Sequence, residues 1–370
     1  MKTRMIFALV LGAGLIGNTA SAEMPMESNM SQPGGGMGGM RHHMHGPVGV
    51  KGRHILPEGK FVLTYRAGHM AMGGNRAGTT DLDPTFIATT VPNRFSGRPG
   101  QPPTLRVVPT EMTGTMHMVG AMYGVTDRLT VGAMAPWIRK SMTSLTFAGP
   151  VGPTVLGANG MDSEGWGDVR LSARYRAIRQ GRRSLLLGLG LSLPTGSITE
   201  TGPMLSPSGR IMIGRMAYGM QLGSGTFDLH PALTWQDGRG RLNWGGQLSA
   251  TLRLGSNEEG YTLGNAATAT TWISHRTADW VSLSGRIEAR SAGHIDGIDP
   301  AIVMPTQGAD PLNYGGQSVA LYAAADFSPQ DGPLRGHKIG LELGVPVYQH
   351  VNGVQLKRDW SLTLAWRKPF

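Results

Sequence analysis

The last eleven residues, WSLTLAWRKPF, limit the fold more than any other stretch of this chain. Trp360, Leu362, Leu364 and Trp366 fall on one face of an extended backbone, with Ser361, Thr363, Ala365 and Arg367 on the other. A period of two places successive side chains on opposite sides of a strand, so one side is apolar and one polar. The pattern recurs in RLNWGGQLSATLRL, where Leu242, Trp244, Leu248, Ala250, Leu252 and Leu254 alternate with Asn243, Gln247, Ser249, Thr251 and Arg253. It recurs again in GDVRLSARYRA, where Val169, Leu171, Ala173 and Tyr175 alternate with charged and hydroxyl residues. Runs of about ten residues or more are the mark of a barrel strand with lipid outside and water inside. A soluble β-sandwich alternates too, but with shorter strands.

Composition removes the competing classes. Beyond the extreme N-terminus no stretch of about 18 uncharged apolar residues occurs, which excludes transmembrane helices. The absence of Cys excludes disulfide scaffolds, Cys-type zinc sites and thiol catalysis. At the N-terminus Lys2 and Arg4 precede an apolar core, Met5 to Ile16, and the small-residue site Ala20-Ser21-Ala22. This reads as a signal peptide over 1–22. Residues 23–58 follow as a disordered Met/His/Gly-rich periplasmic segment, and 59–370 as the barrel.

Connection lengths set the strand order, because outer-membrane barrels have short periplasmic turns and longer outer loops. Counting back from a periplasmic C-terminus places strands near 358–369, 337–348, 316–327, 279–292, 266–275, 241–254, 226–236, 183–194, 166–179, 128–140, 111–123 and 60–72. The final hairpin is expected to carry an outer loop from His350 to Lys357, and 195–225 an outer loop. The fold expected is all-β: an antiparallel transmembrane β-barrel of about 12 strands with a disordered N-terminal segment, in the cell outer membrane. Its partners are outer-membrane lipid, small solutes, and the barrel-assembly machinery, engaged through the last strand ending at Phe370. No phosphate-cradling loop or nucleic-acid motif occurs, so no nucleic-acid partner is expected.

The turn YGVTDRLTVGAMAPW, the strand start GWGDVRLSARYR and the segment LGLSLPTGS resemble a family of outer-membrane barrels named for the phenol meta-cleavage degradation pathway. The resemblance covers roughly residues 110 to 370. It implies a transporter-like barrel, and its motifs belong to turns and strand ends rather than to catalytic positions.

Facing follows from aromatic girdles, since Tyr and Trp favour the outer surface at the interfaces. Tyr123 then turns Met112, Met116, Met118 and Met122 inward. Phe61, Leu63 and Tyr65 facing out put Arg66, Met70 and Met72 inside, and Trp137 facing out puts Met134 inside. Elsewhere the inward residues are basic: Arg170, Arg174, Arg176, Arg253, Arg286, Arg290 and Arg367 outnumber Glu288 and Glu342. Rings of Arg favour anions. The first functional reading is therefore a channel or porin-like transporter for small solutes, anionic or aromatic, with no enzymatic activity and no required cofactor.

Two rivals stand beside it. Met24, Met26, Met30, Met37, Met40 and Met44, interleaved with His42, His43 and His45, suit Cu(I) or Ag(I), because thioethers are soft ligands and imidazole accepts copper. That reading makes the chain a copper- or silver-handling barrel; against it, Met also serves as adaptable packing. The second rival is a barrel hydrolase. His230 and Asp228 share a strand face, but no G-x-S-x-G elbow or H-E-x-x-H motif appears.

Overall fold

Eleven strand elements form one antiparallel ring in the computed structural model, which describes residues 46–370. The expected signal peptide and the Met/His cluster from Met24 to His45 lie outside the described residues. The ring runs through Phe61–Gly78, Val107–Thr126, Leu129–Phe147, Arg170–Gln180, Arg183–Ser192, Phe227–Arg239, Leu242–Leu254, Ala266–Ala278, Val281–Ala292, Gly316–Phe327 and Lys338–Pro369. The last element pairs with the first, Tyr65 opposite Trp366 and Ala67 opposite Leu364. Phe370 N–H donates to Phe61 O at 2.8 Å, completing the seam. No edge of the ring is left in lipid, where an unpaired backbone group costs several kcal/mol.

Parity shows that the wall has twelve passes. Every neighbouring pair in the ring is antiparallel, and an odd number of antiparallel passes cannot close. Lys338–Pro369, at 32 residues, supplies the missing one. It pairs with Gly316–Phe327 along 339–351 and with Phe61–Gly78 along 351–369, so it rises and then returns. The reversal falls at Asn352-Gly353, with Gly353 at φ +56°. Asn-Gly is the preferred pair for a two-residue hairpin turn, whose twist continues that of the strands. Across the hairpin, Arg358 N–H donates to Gln349 Oε1 at 2.9 Å, and Gln349 Nε2 donates to Arg358 O at 2.8 Å. The outer loop expected from His350 to Lys357 is thus continuous strand with a tight turn. The longer connection lies at the other end, over 328–337.

The other connections on that end are two residues long: Asp127-Arg128, Gly181-Arg182, Gly240-Arg241 and Asp279-Trp280. At the opposite end the loops carry their own small elements, including the helix Pro84–Thr90, capped by Asp83, and the hairpin Thr201–Leu205 with Ile211–Arg215. The stretch 195–225 therefore stays out of the wall. Phe95, Tyr218, Tyr261, Ile295, Ile302 and Ala309, from four of these loops, pack into one buried cluster.

Alternation decides facing. Leu248, Leu252, Leu283, Ile287, Leu341, Leu343 and Leu364 are exposed on the outer surface. Their neighbours in sequence, among them Ser282, Ser284, Arg286 and Glu342, are buried on the inner side. Leu364→Arg is expected to destabilise the barrel by about 2–4 kcal/mol, the cost of a basic side chain at the lipid midplane. Urea unfolding in detergent micelles checks this, and an unchanged midpoint would contradict the assigned facing.

The interior is not empty. Residues 46–58, expected to belong to the disordered segment, pass through the barrel instead. Val48, Val50, Arg53, Ile55 and Leu56 are buried there. The physical reason is that this stretch carries the aliphatic side chains of Val48, Val50, Ile55 and Leu56, and the wall offers partners to its backbone.

Candidate functional site

The lumen is the candidate site, and its threaded segment is held group by group. Gly49 N–H donates to Glu342 Oε2 at 3.0 Å. Arg66 Nη2 donates to Val48 O at 2.9 Å, Gln247 Nε2 to Lys51 O at 2.7 Å, and Gln236 Nε2 to Arg53 O at 3.1 Å. Leu56 N–H donates to Thr130 Oγ1 at 2.8 Å, and Gly59 N–H to Gly124 O at 2.9 Å. The partners come from strands around most of the ring, so the segment crosses the lumen rather than lining one wall. The Arg53 guanidinium lies 5.9 Å from the ring centroid of Trp272, a tryptophan that points inward. Gly340 makes room for the segment: a Cβ there would come within 2.3 Å of Val48 Cγ2. Buried backbone groups of a loop need such partners, and here the wall side chains provide them.

Around this plug the inner wall carries two kinds of side chain, thioethers and guanidinium groups, which meet where Met134 pairs with Arg170. The first three strands carry Met70, Met72, Met112, Met116, Met118, Met122 and Met134 on the inner face, where the sequence pattern places them. Cross-strand partners share a face. Met72 stands opposite Met112, Met112 opposite Met142, and Met142 opposite Met161, making one row of thioethers over four neighbouring strand segments.

The second kind is basic. Arg170, Arg174 and Arg176 share one face of Arg170–Gln180, with Ser172 between the first two, and Arg286 and Arg290 share the inner face of Val281–Ala292. Arg66 and Arg367 sit on adjoining strands at the seam. Of the carboxylates on the inner face, Glu342, Glu288 and Asp228 are engaged by arginines, while Asp326 is buried with one oxygen that has no hydrogen-bond partner among the described residues. Glu342 accepts from Arg286 Nη2 at 2.6 Å and Glu288 from Arg286 Nη1 at 2.5 Å. Asp228 is ion-paired with Arg253. Arg286 also lies over the Tyr322 ring at 3.6 Å. Arg66, by contrast, spends a donor on the Val48 carbonyl, and Arg174 points Nη1 at Met122 sulfur 3.0 Å away. The field inside the lumen is therefore positive, and low-dielectric walls concentrate it.

One further contact bears on the hydrolase reading. Ser192 Oγ and His230 Nε2 are 2.8 Å apart. His230 Nδ1 faces the Thr251 hydroxyl at 3.2 Å rather than a carboxylate, while Asp228 is committed to Arg253. A serine–histidine pair is activated when an acidic group orients the imidazole, and that third member is occupied elsewhere.

Several lining residues escape the sequence reading. Lys51, Arg53, Gln236, Gln247 and Trp272 contribute to the plug or its anchors. For Trp272 the signal was available, because Ile273 and Ala269 alternate with it toward lipid. Tryptophan in a barrel reads as a girdle residue, and this one is not.

Among solved structures the chain is similar to an outer membrane channel from Pseudomonas putida F1, at 13% identity and a TM-score of 0.54, over 85% of this chain and 97% of that one. It is also similar to the toluene transporter TbuX of Ralstonia pickettii (13% identity, TM-score 0.45, 85% and 90% covered) and to a Pseudomonas aeruginosa FadL homologue (9%, 0.42, 84% and 90%). No family model matches the chain, and no curated protein matches it. The first likeness is one of fold, and it agrees with the closed ring: the class is an outer-membrane β-barrel. The chain accordingly belongs in the cell outer membrane.

Proposed function

We propose that the chain is an outer-membrane channel for small anionic solutes, aromatic carboxylates foremost, closed at rest by its own residues 46–58. The observation that carries this reading is the mixed lining of the inner wall. Arginines, several of them without a carboxylate partner among the contacts above, stand beside thioethers: Met134 is opposite Arg170, Met118 is opposite Arg66, and Arg174 reaches Met122. A carboxylate finds guanidinium donors there, and the neighbouring Met, being polarizable and adaptable, accepts an aromatic face. The turn and strand-start motifs shared with the phenol meta-cleavage family support kinship with transporters of that kind. A passive pathway accounts for the architecture without chemistry in the lumen. Assembly would proceed through the last strand, whose end at Phe370 packs 6.3 Å from the Phe61 ring at the seam. The test is ion selectivity in planar bilayers under a potassium chloride gradient. Chloride is expected to carry most of the current.

A further inference from the structure

We propose that a methionine chamber at the loop-bearing end of the lumen is a binding site for a soft monovalent cation, Ag(I) or Cu(I). The chamber is distinct from the His-containing segment before residue 46 and goes beyond the channel reading. Met142, Met161, Met204, Met216 and Met220 form a single buried cluster, with Met112 and Met304 packed against it. Met216 and Met220 are fully enclosed.

Three features make this more than apolar filling. Met112, Met142 and Met161 are consecutive cross-strand partners, so their Cβ atoms lie about 4.5–5.5 Å apart. Each side chain has three rotatable bonds, enough for neighbouring sulfurs to converge on one ion. The loop methionines approach from the other side, and their backbone is fixed. Gln221 Nε2 donates to Met216 O at 2.8 Å, and Ser163 Oγ donates to Met220 O at 2.7 Å. Thioethers thus arrive from the wall and from a tethered loop. The third feature is the choice of residue. Leu fills a core as well and with better-defined rotamers, yet all the buried side chains of this cluster are Met.

The chemistry selects the ion. A thioether is neutral and soft, so it favours Cu(I) or Ag(I) over calcium, magnesium or zinc. Among the described residues no group of three or more His, Cys, Asp or Glu is placed to hold a metal, so sulfur is the donor type the chamber offers. The nearby Lys140 ammonium opposes a cation, but it donates to the carbonyls of Gly219 (2.9 Å) and Gln221 (2.5 Å), whose dipoles offset its charge.

The test is silver titration of the full chain, since Ag(I) needs no reductant. Three proteins are compared: the native chain, a chain with Met24, Met26, Met30, Met37, Met40 and Met44 changed to Leu and His42, His43 and His45 to Gln, and a chain carrying those changes together with Met112→Leu, Met142→Leu and Met161→Leu. Binding in the second protein, with X-ray absorption reporting a sulfur-only first shell, is the expected result. The third protein should lose that sulfur-only site. Leu is close to Met in volume, so packing is preserved. If the second protein binds no silver, or its first shell contains nitrogen or oxygen, the proposal is overturned. Retention of the sulfur-only site in the third overturns it equally. None of these readouts depends on conductance, so the channel reading stands or falls separately.

Discussion

Deleting residues 46–58 is expected to raise single-channel conductance several-fold. A twelve-pass barrel is wider than the filled eight-stranded kind, so its lumen stays open unless something occupies it. Here the occupant is one chain segment with five buried side chains and backbone bonds to Glu342, Arg66, Gln247, Gln236 and Thr130. The wall does not depend on it for closure, because the seam from Phe61 to Pro369 is made by strands alone. Removal should therefore leave the barrel assembled and the lumen clear. Planar-bilayer recording of native and shortened proteins checks this. Equal conductance would mean that the loops over the outer end, and not the segment, limit passage.

Glu342→Gln is expected to weaken both the wall and the plug. Glu342 is buried and serves two partners, Arg286 Nη2 at 2.6 Å and Gly49 N–H at 3.0 Å. Breaking a buried pair by removing one charge costs about 3–5 kcal/mol, because the remaining charge is left without compensation. Glu288 still holds Arg286, so a loss near the lower end of that range, about 3 kcal/mol, is expected. The amide side chain keeps an acceptor for Gly49 but not the charge that positions Arg286 beside it. Chemical unfolding reads the first effect, and cleavage within 46–58 by an added protease reads the second. A variant as stable and as resistant as the native protein would show that the ion pair contributes nothing to either.

Most of the wall was legible in the sequence because period-two alternation is a local property. It located all twelve passes, and it set Met112, Met116, Met118 and Met122 inside from the single outward Tyr123. The final hairpin was misjudged at its tip. The expected loop from His350 to Lys357 follows from the rule that outer connections are long, whereas Val351-Asn352-Gly353-Val354 folds as a tight turn. Residues 46–58 are expected within the disordered segment 23–58, and GPVGVKGRHILPE has neither strand nor helix period. Its order comes from partners hundreds of residues away, such as Glu342, and no local pattern reports those. The methionine chamber was visible only in part. Met142 continues the inward set of Met134 by alternation, but Met204, Met216 and Met220 lie in loops, where no period tells which residues meet.

The reversal potential of the protein lacking residues 46–58, in a bilayer separating concentrated from dilute potassium chloride, tests the central claim most directly. The excess of guanidinium groups over carboxylates in the lumen predicts a potential displaced toward the chloride equilibrium value. It further predicts that the displacement shrinks when Arg66, Arg170 and Arg174 are changed to Gln together. A potential on the potassium side, or one indifferent to those three arginines, would contradict an anion pathway through this barrel.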